Sequence, residues 1–262
     1  MWKIGSRNLE SRLLIHTGQY ATFDIMSAVH EHSAAQVVTL AVRQADLSAA
    51  DDQSILNHID RQRIHLLPTT AGCFTPEDAV STAHMAAELL ETRWIKLVVT
   101  GSTRTRLPDM EGTLEAAREL VKEGFEVLPH CTDDPILCAR LADIGCAGVM
   151  VLATPSGSGQ GIVNPSRLAM IREGISIPLI VDTGLGTASD ATRAMELGAD
   201  AVLVHSAIAD ADNPIKMAEA MKLAVLSGRA AFTAGGIPKR MYASSPEPKE
   251  DTVLEKGGSA WL

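Results

Sequence analysis

A closed (β/α)8 barrel, the TIM-barrel architecture, is what this sequence predicts, on three observations. Eight short β-branched or leucine-rich runs recur, each followed by Gly, Pro, Thr or Ser and then by a longer stretch of helical period. The 262 residues suit one such barrel better than two small domains. The hydrophobic share is 46% but aromatics make up only 3%, so Val, Ile, Leu, Ala and Met must fill the interior, as they do in parallel barrels.

The strand candidates are Leu13 to His16, Gln36 to Ala41, His65 to Thr69, Trp94 to Val99, Phe125 to His130, Gly148 to Ala153, Pro178 to Asp182 and Ala201 to His205. Helix starts are marked between them. Thr75 followed by Pro76 and Asp78 reads as an N-cap, a first-turn proline and a box-like acid. Thr187 through Asp190 and Asp212 through Pro214 open two later helices in the same manner. An open doubly wound sheet would also alternate strands and helices, but eight similar units without a GxGxxG opening favour closure. Beyond Ala230 the periodicity ends in a segment rich in Pro, Ser, Lys and Glu, so residues 1–230 read as the barrel domain and 231–262 as a mobile tail.

Charge and composition exclude several functions. A formal charge of -9 opposes a broad nucleic-acid footprint. No run approaches the roughly 20 apolar residues needed to cross a bilayer, and the amino-terminal segment lacks the apolar core of a signal peptide, so a cytoplasmic location is expected. Cys73, Cys131, Cys138 and Cys146 form no CxxC pair, so neither a metal site nor another cofactor is expected.

In a closed barrel the reactive side chains sit at the carboxyl ends of the strands. On the fourth strand candidate the two-residue period puts Trp94, Lys96 and Val98 on one face and Ile95, Leu97 and Val99 on the other, which makes Lys96 the exceptional residue. Desolvation would lower the pKa of such an amine toward the range where it attacks a carbonyl to form an imine. A lysine whose stem packs while its amine reaches water or a carboxylate is the alternative. Asp182, at the top of the seventh strand, is placed to move protons or to pair with Lys96. The small residues Gly157, Ser158 and Gly159 after the sixth strand, with Gly184 and Gly186 after the seventh, put backbone N–H groups where a phosphate could bind; a flexible lid is the other reading of the first loop. His130 and Cys131 end the fifth strand and His205 and Ser206 the eighth, as candidates for polar contacts, although Cys131 also reads as a small packing residue. Arg104 and Arg106 lie in the loop after the fourth strand, where they could clamp a substrate or a partner's acidic tail, although solvent exposure is the simpler reading.

Taken together, Trp94-Ile-Lys96-Leu97, Leu67-Pro-Thr-Thr-Ala-Gly72-Cys73, Gly157-Ser-Gly-Gln-Gly161, Val181-Asp182-Thr-Gly-Leu-Gly186 and Gly198-Ala-Asp-Ala-Val-Leu-Val204 resemble the thiazole synthase family, from the first strand to Leu226. The resemblance implies that Lys96 forms an imine with deoxyxylulose phosphate, that Asp182 is an acid/base, that the glycine loops hold phosphate, and that sulfur arrives as the carboxy-terminal thiocarboxylate of a small sulfur-carrier protein. It also implies a homo-oligomer.

Three departures from the family pattern fall at the barrel mouth. Where the family usually has a glutamate this chain has Val98, on the lysine's face and about 7 Å along the strand. The early Thr-Gly-Lys-Tyr reads Thr17-Gly18-Gln19-Tyr20, and Asn-Thr reads His205-Ser206. Thiazole closure with dehydroglycine as a second substrate leans on two carboxylate acid/base groups, whereas simpler sulfur insertion does not. Val98 therefore fits better a branch of the family that this chain also resembles, which makes 2-thiosugar phosphates for secondary metabolism. There, lysine adds to an open-chain aldose phosphate of the glucose 6-phosphate type, the imine rearranges to a ketone, and the thiocarboxylate attacks that ketone. Thiazole synthase proper is the alternative. A non-catalytic scaffold that only docks the carrier is a third reading, opposed by the retention of Lys96, Asp182 and the glycine loops.

Overall fold

The computed structural model describes residues 1–43, 54–238 and 240–243. Two short strands that the sequence pattern did not reveal, β1 (Trp2–Ile4) and β2 (Arg7–Leu9), pair as an antiparallel hairpin. The predicted strands all form, with ends within two residues of their expected bounds: β3 (Leu13–His16), β4 (Val37–Ala41), β5 (His65–Thr69), β6 (Trp94–Leu97), β7 (Glu126–Cys131), β8 (Val149–Leu152), β9 (Leu179–Asp182) and β10 (Ala201–Val204). They pair in parallel and close in sequence order, β10 hydrogen-bonding back to β3.

The helices between them are α1 (Phe23–Ser33), α2 (Pro76–Leu90), α3 (Met110–Lys122), α4 (Pro135–Ile144), α5 (Pro165–Gly174), α6 (Ala188–Glu196), α7 (Ser206–Ala209) and α8 (Pro214–Ala234). In the described part of the β4–β5 connection there is a single 3-10 turn, Ile55–His58. The start signals act as expected. Thr75 accepts from the Asp78 N–H ahead of Pro76, Thr187 and Asp190 form a reciprocal capping box, and Asn213, within the predicted opening, caps α8.

Strand periodicity sorts the core into two compartments. Leu14, Val37, Leu67, Trp94, Leu128, Met150, Ile180, Ala201 and Leu203 fill the barrel interior, while Ile15, Val38, Ile95, Val127 and Val181 belong to the layer between sheet and helices. Trp2, Ile4 and Leu9 of the hairpin join the interior cluster. The hairpin therefore plugs the amino-terminal end of the barrel, which leaves the carboxyl end as the open face. It escaped notice because three-residue strands carry too few positions to show a period.

The composition boundary at Ala230 falls short. Helix α8 runs to Ala234, because Ala230-Ala231-Phe232 are compatible with helix and the Phe232 ring packs over Gly198, and Gly235 follows the last turn. The remainder of the proposed tail from residue 244 lies outside the described residues. Among the described residues no helix is long and apolar enough to cross a membrane.

Ile4 is fully buried in the plug, so Ile4→Ala should lower unfolding free energy by about 2–5 kcal/mol. Urea denaturation checks this, and an unchanged midpoint would show that the hairpin does not seal the core.

Candidate functional site at the carboxyl end of the barrel

The interior parity that buries Trp94, Leu128 and Ile180 carries the residues two positions further on, Lys96, His130 and Asp182, into the next layer toward the mouth. They meet there. Lys96 Nζ lies 2.7 Å and His130 Nδ1 2.8 Å from the same oxygen, Oδ2 of Asp182. These are ion-pair contacts without the angles of aligned hydrogen bonds, and Oδ1 has no hydrogen-bond partner among the described residues. Asp182 is 0% and Lys96 8% exposed. Burial alone would raise the Asp182 pKa, but the neighbouring Lys96 and His130 charges outweigh it and hold the carboxyl below its ordinary range. Asp182 is thus ionised against Lys96. The sequence reading left two states of the lysine open, and the geometry is that of the carboxylate-paired one, with an acceptor for the ammonium proton already in contact.

Directly after Asp182 the chain turns sharply. Thr183 takes a left-handed φ of 65°, unusual for a β-branched residue, and its hydroxyl donates to Thr154 O. Gly184 follows at φ 84° against Thr154, where a side chain has neither the conformation nor the room. Gly186 lies so close to the preceding loop that a Cβ would stand 2.5 Å from Gly159 O. The two glycine loops therefore pack backbone to backbone. Together with His205 and Ser206 they border a cavity of about 320 Å³ that reaches Asp182.

Within this cavity Gly157, Gly159 and Gly184 carry N–H groups with no hydrogen bond among the described residues, as an anion site requires. Gly186 differs: its N–H donates to Asp190 Oδ2 at 3.1 Å, so it serves close packing rather than donation. Ser158 turns away, its hydroxyl on Thr154 Oγ1 and its N–H on Pro155 O. Cys131 is also outside the site. Its parity is opposite to that of His130, and its thiol packs 3.8 Å from Cys138 in the outer layer, where that contact and burial push its pKa well up. Arg104 and Arg106 are exposed.

One mouth residue went unnamed in the sequence reading. His16, the last residue of β3, shares the interior parity of Leu14, and the Ile15–Val204 register brings it beside His205. The two rings stack with centroids 4.3 Å apart. Burial, the neighbouring His205 and Lys96 lower the His16 pKa to about 3, against a weaker opposite pull from Asp182. Burial lowers that of His205 as well, although its bond to Gly18 O opposes the shift. Both are neutral near pH 7. The signal that could have found His16 is its position as a polar residue at a strand's carboxyl end, in phase with the core. A larger hollow of about 860 Å³, bordered by Arg12, Gln36 and His65, lies at the opposite, amino-terminal ends of the strands and is remote from this chemistry.

Fold and site define a (β/α)8 barrel with a buried lysine–aspartate pair at its mouth, beside a glycine-lined pocket suited to an anion. Comparison with known proteins narrows this class: the chain matches the family described as "Thiazole biosynthesis protein ThiG" over residues 3–248, and it belongs to that family. It is 51% identical to the thiazole synthase of Myxococcus xanthus strain DK1622, over 95% of this chain and 96% of the relative. Identity to the thiazole synthase of Sorangium cellulosum strain So ce56 is 52%, with the same coverage. Among solved structures, the crystal structure of the Amycolatopsis orientalis BexX/CysO complex aligns with a TM-score of 0.82 and 34% identity, covering 92% of this chain and 98% of that one.

The depressed histidine pKa values set a stability window. A group whose folded pKa lies below its unfolded value of about 6.5 lets the unfolded state bind more protons, so stability falls as pH drops from about 6.5 toward the folded value. His16 (about 3) and His30 (about 4) each steepen this loss by up to about 1.4 kcal/mol per pH unit. Urea titrations at pH 7 and pH 5 should show the loss, smaller in a His16→Asn chain; identical midpoints at the two pH values would contradict neutral burial.

Proposed function

We propose that this chain is a sulfur-inserting synthase in which the Lys96 amine forms an imine with the carbonyl of a sugar phosphate, the product being a 2-thiosugar phosphate of the 2-thioglucose 6-phosphate type. The single observation that carries the reading is that Asp182, paired with the buried Lys96, lines a cavity that also borders unbonded glycine N–H groups. An amine and an anion site in one mouth suit a substrate with a carbonyl at one end and a phosphate at the other.

The residues take these roles. Asp182 accepts the proton that Lys96 must shed before it attacks, returns it to the carbinolamine hydroxyl that leaves as water, and as a carboxylate again, with His130 beside it, stabilises the cationic imine. Gly157, Gly159 and Gly184 donate to the phosphate, with Ser206 at the same wall, and Gly186 holds the two loops in register. No metal or other cofactor takes part. Sulfur comes from the carboxy-terminal thiocarboxylate of a small carrier protein entering the open mouth; support for a protein partner is that BexX, 34% identical, is solved as a complex with CysO. The assembly is a homo-oligomer.

The choice of sugar rests on Val98. An aliphatic side chain stands where the thiazole-forming members usually have a second carboxylate, one residue beyond β6 and two beyond Lys96, in phase with the lysine by the two-residue period. Thiazole formation from deoxyxylulose phosphate and dehydroglycine is the second reading, favoured by about 50% identity to the thiazole synthases. Overall identity weighs all 250 aligned positions alike, whereas the reaction depends on the few that face the substrate. For that reason we place the site's composition first.

Borohydride reduction in the presence of glucose 6-phosphate should leave a covalent hexose-phosphate adduct on Lys96, read by mass spectrometry, and Lys96→Ala should leave none. An adduct with deoxyxylulose phosphate alone would transfer the chain to the second reading, and carrier binding without any sugar adduct would reduce it to a docking scaffold. Gly186→Ala should force the loops apart and raise the aldose phosphate concentration needed for half-maximal trapping at least about tenfold, equivalent to roughly 1.4 kcal/mol. Unchanged concentration dependence would remove the glycine loops from the phosphate site.

A further inference from the structure

The residue between the two mouth histidines fixes which nitrogen of each carries hydrogen. The Gly18 N–H donates to His16 Nδ1 at 2.8 Å, so that nitrogen is an acceptor and the hydrogen of the neutral ring is on Nε2. The Gly18 carbonyl can only accept, and His205 Nε2 lies 3.0 Å from it, so His205 carries its hydrogen on Nε2 and its lone pair on Nδ1. One residue, through its N–H and its carbonyl, thereby sets two stacked, neutral imidazoles in opposite tautomers. Neither the remaining N–H of His16 nor the remaining lone pair of His205 makes a hydrogen bond among the described residues. Both rings lie close enough to Lys96 and Asp182 to interact with their charges. Asp182 stands in register with Leu203, so His205 is one interior layer nearer the mouth than the aspartate.

On the basis of the function proposed above, we infer that His205 Nδ1 is the catalytic base that carries the C2 proton of the Lys96-bound aldose to C1, while His16 donates from Nε2 to the oxygen on C2. The step balances without an outside reagent. The C2–H bond breaks as Nδ1 takes the proton, its electron pair becomes the C1=C2 bond, and the C1=N pair moves onto the lysine nitrogen. His205 then returns the proton to C1 as the C2=O bond forms, and the hydroxyl proton passes to the lysine nitrogen, now an amine. C1 is reduced and C2 oxidised within one molecule. A neutral His16 suits its part, since a donor without net charge polarises the oxygen and does not repel the cationic imine. Two histidines thereby supply the proton transfer for which position 98, as valine, has no group.

The tautomers also dictate the variants. His16→Asn keeps an acceptor for the Gly18 N–H and removes the Nε2 donor; His205→Gln keeps a donor for the Gly18 carbonyl and removes the Nδ1 lone pair. Each full-length chain is incubated with glucose 6-phosphate deuterated at C2, without carrier protein, and two quantities are measured: Lys96 adduct trapped by borohydride, and the deuterium in it that has left C2, whether for C1 or for water. Departure of deuterium from C2 per trapped adduct should fall at least about 100-fold in His205→Gln and at least about tenfold in His16→Asn, with adduct still formed. A structural disturbance would lower adduct and departure of deuterium from C2 together and leave their ratio in place. Departure of deuterium from C2 per adduct at the wild-type level in His205→Gln overturns the inference, as does a wild-type adduct whose deuterium is still on C2. A wild-type chain that forms no adduct refutes the underlying function, and the inference with it.

Discussion

The site is organised around one buried carboxylate. Asp182 has no exposure to water, and it keeps its charge because Lys96 and His130 both approach the same oxygen. Taking such charges from water is expensive unless they are paired, and removing one partner would leave the other stranded. The pair therefore constrains what surrounds it. Strands β6, β7 and β9 must bring Lys96, His130 and Asp182 together on the interior side, and that requires the closed register in which Lys96 stands opposite Leu128 and Asp182 opposite Leu152 and Leu203. The hairpin plug contributes from the other end by filling the interior below this layer, so that the polar groups face only the open mouth.

Much of this was legible in the sequence because barrels repeat a simple pattern. The alternation of apolar runs with helix-period stretches located the eight barrel strands, and the two-residue period put Lys96 on one face with Trp94, which the structure shows to be the interior one. Position at a strand's carboxyl end brought Asp182, His130 and His205 into consideration, and all three border the same mouth. The same rule applied to Cys131 fails, since a residue adjacent to an inward one faces the helices. His16 is the converse case: it satisfied both rules, but a histidine ending a run of three apolar residues carries no composition signal of its own.

What the sequence withheld concerns hydrogen bonds between segments far apart in the chain. Glycine spacing suggested an anion pocket, yet which glycines still have an N–H to offer depends on Asp190, whose carboxylate takes those of Gly186 and Thr187. Likewise, the motif Thr17-Gly18-Gln19-Tyr20 displays its charge difference from the family but not the contact of Gly18 with two histidines, one of them 187 residues away. Chain length defeats local reasoning in the plug as well, where three-residue strands are too short for any period to emerge.

The function proposed for the mouth divides the labour: covalent capture by the lysine, charge balance by the aspartate, and phosphate anchoring by the glycine loops. A crystal structure of the chain soaked with glucose 6-phosphate tests this most directly. The account predicts continuous density from Lys96 Nζ to C1 of an open-chain sugar, with the phosphate seated against Gly157, Gly159 and Gly184. A sugar bound with no bond to Lys96, or a covalent adduct whose phosphate points out of the glycine-lined cavity, would contradict it.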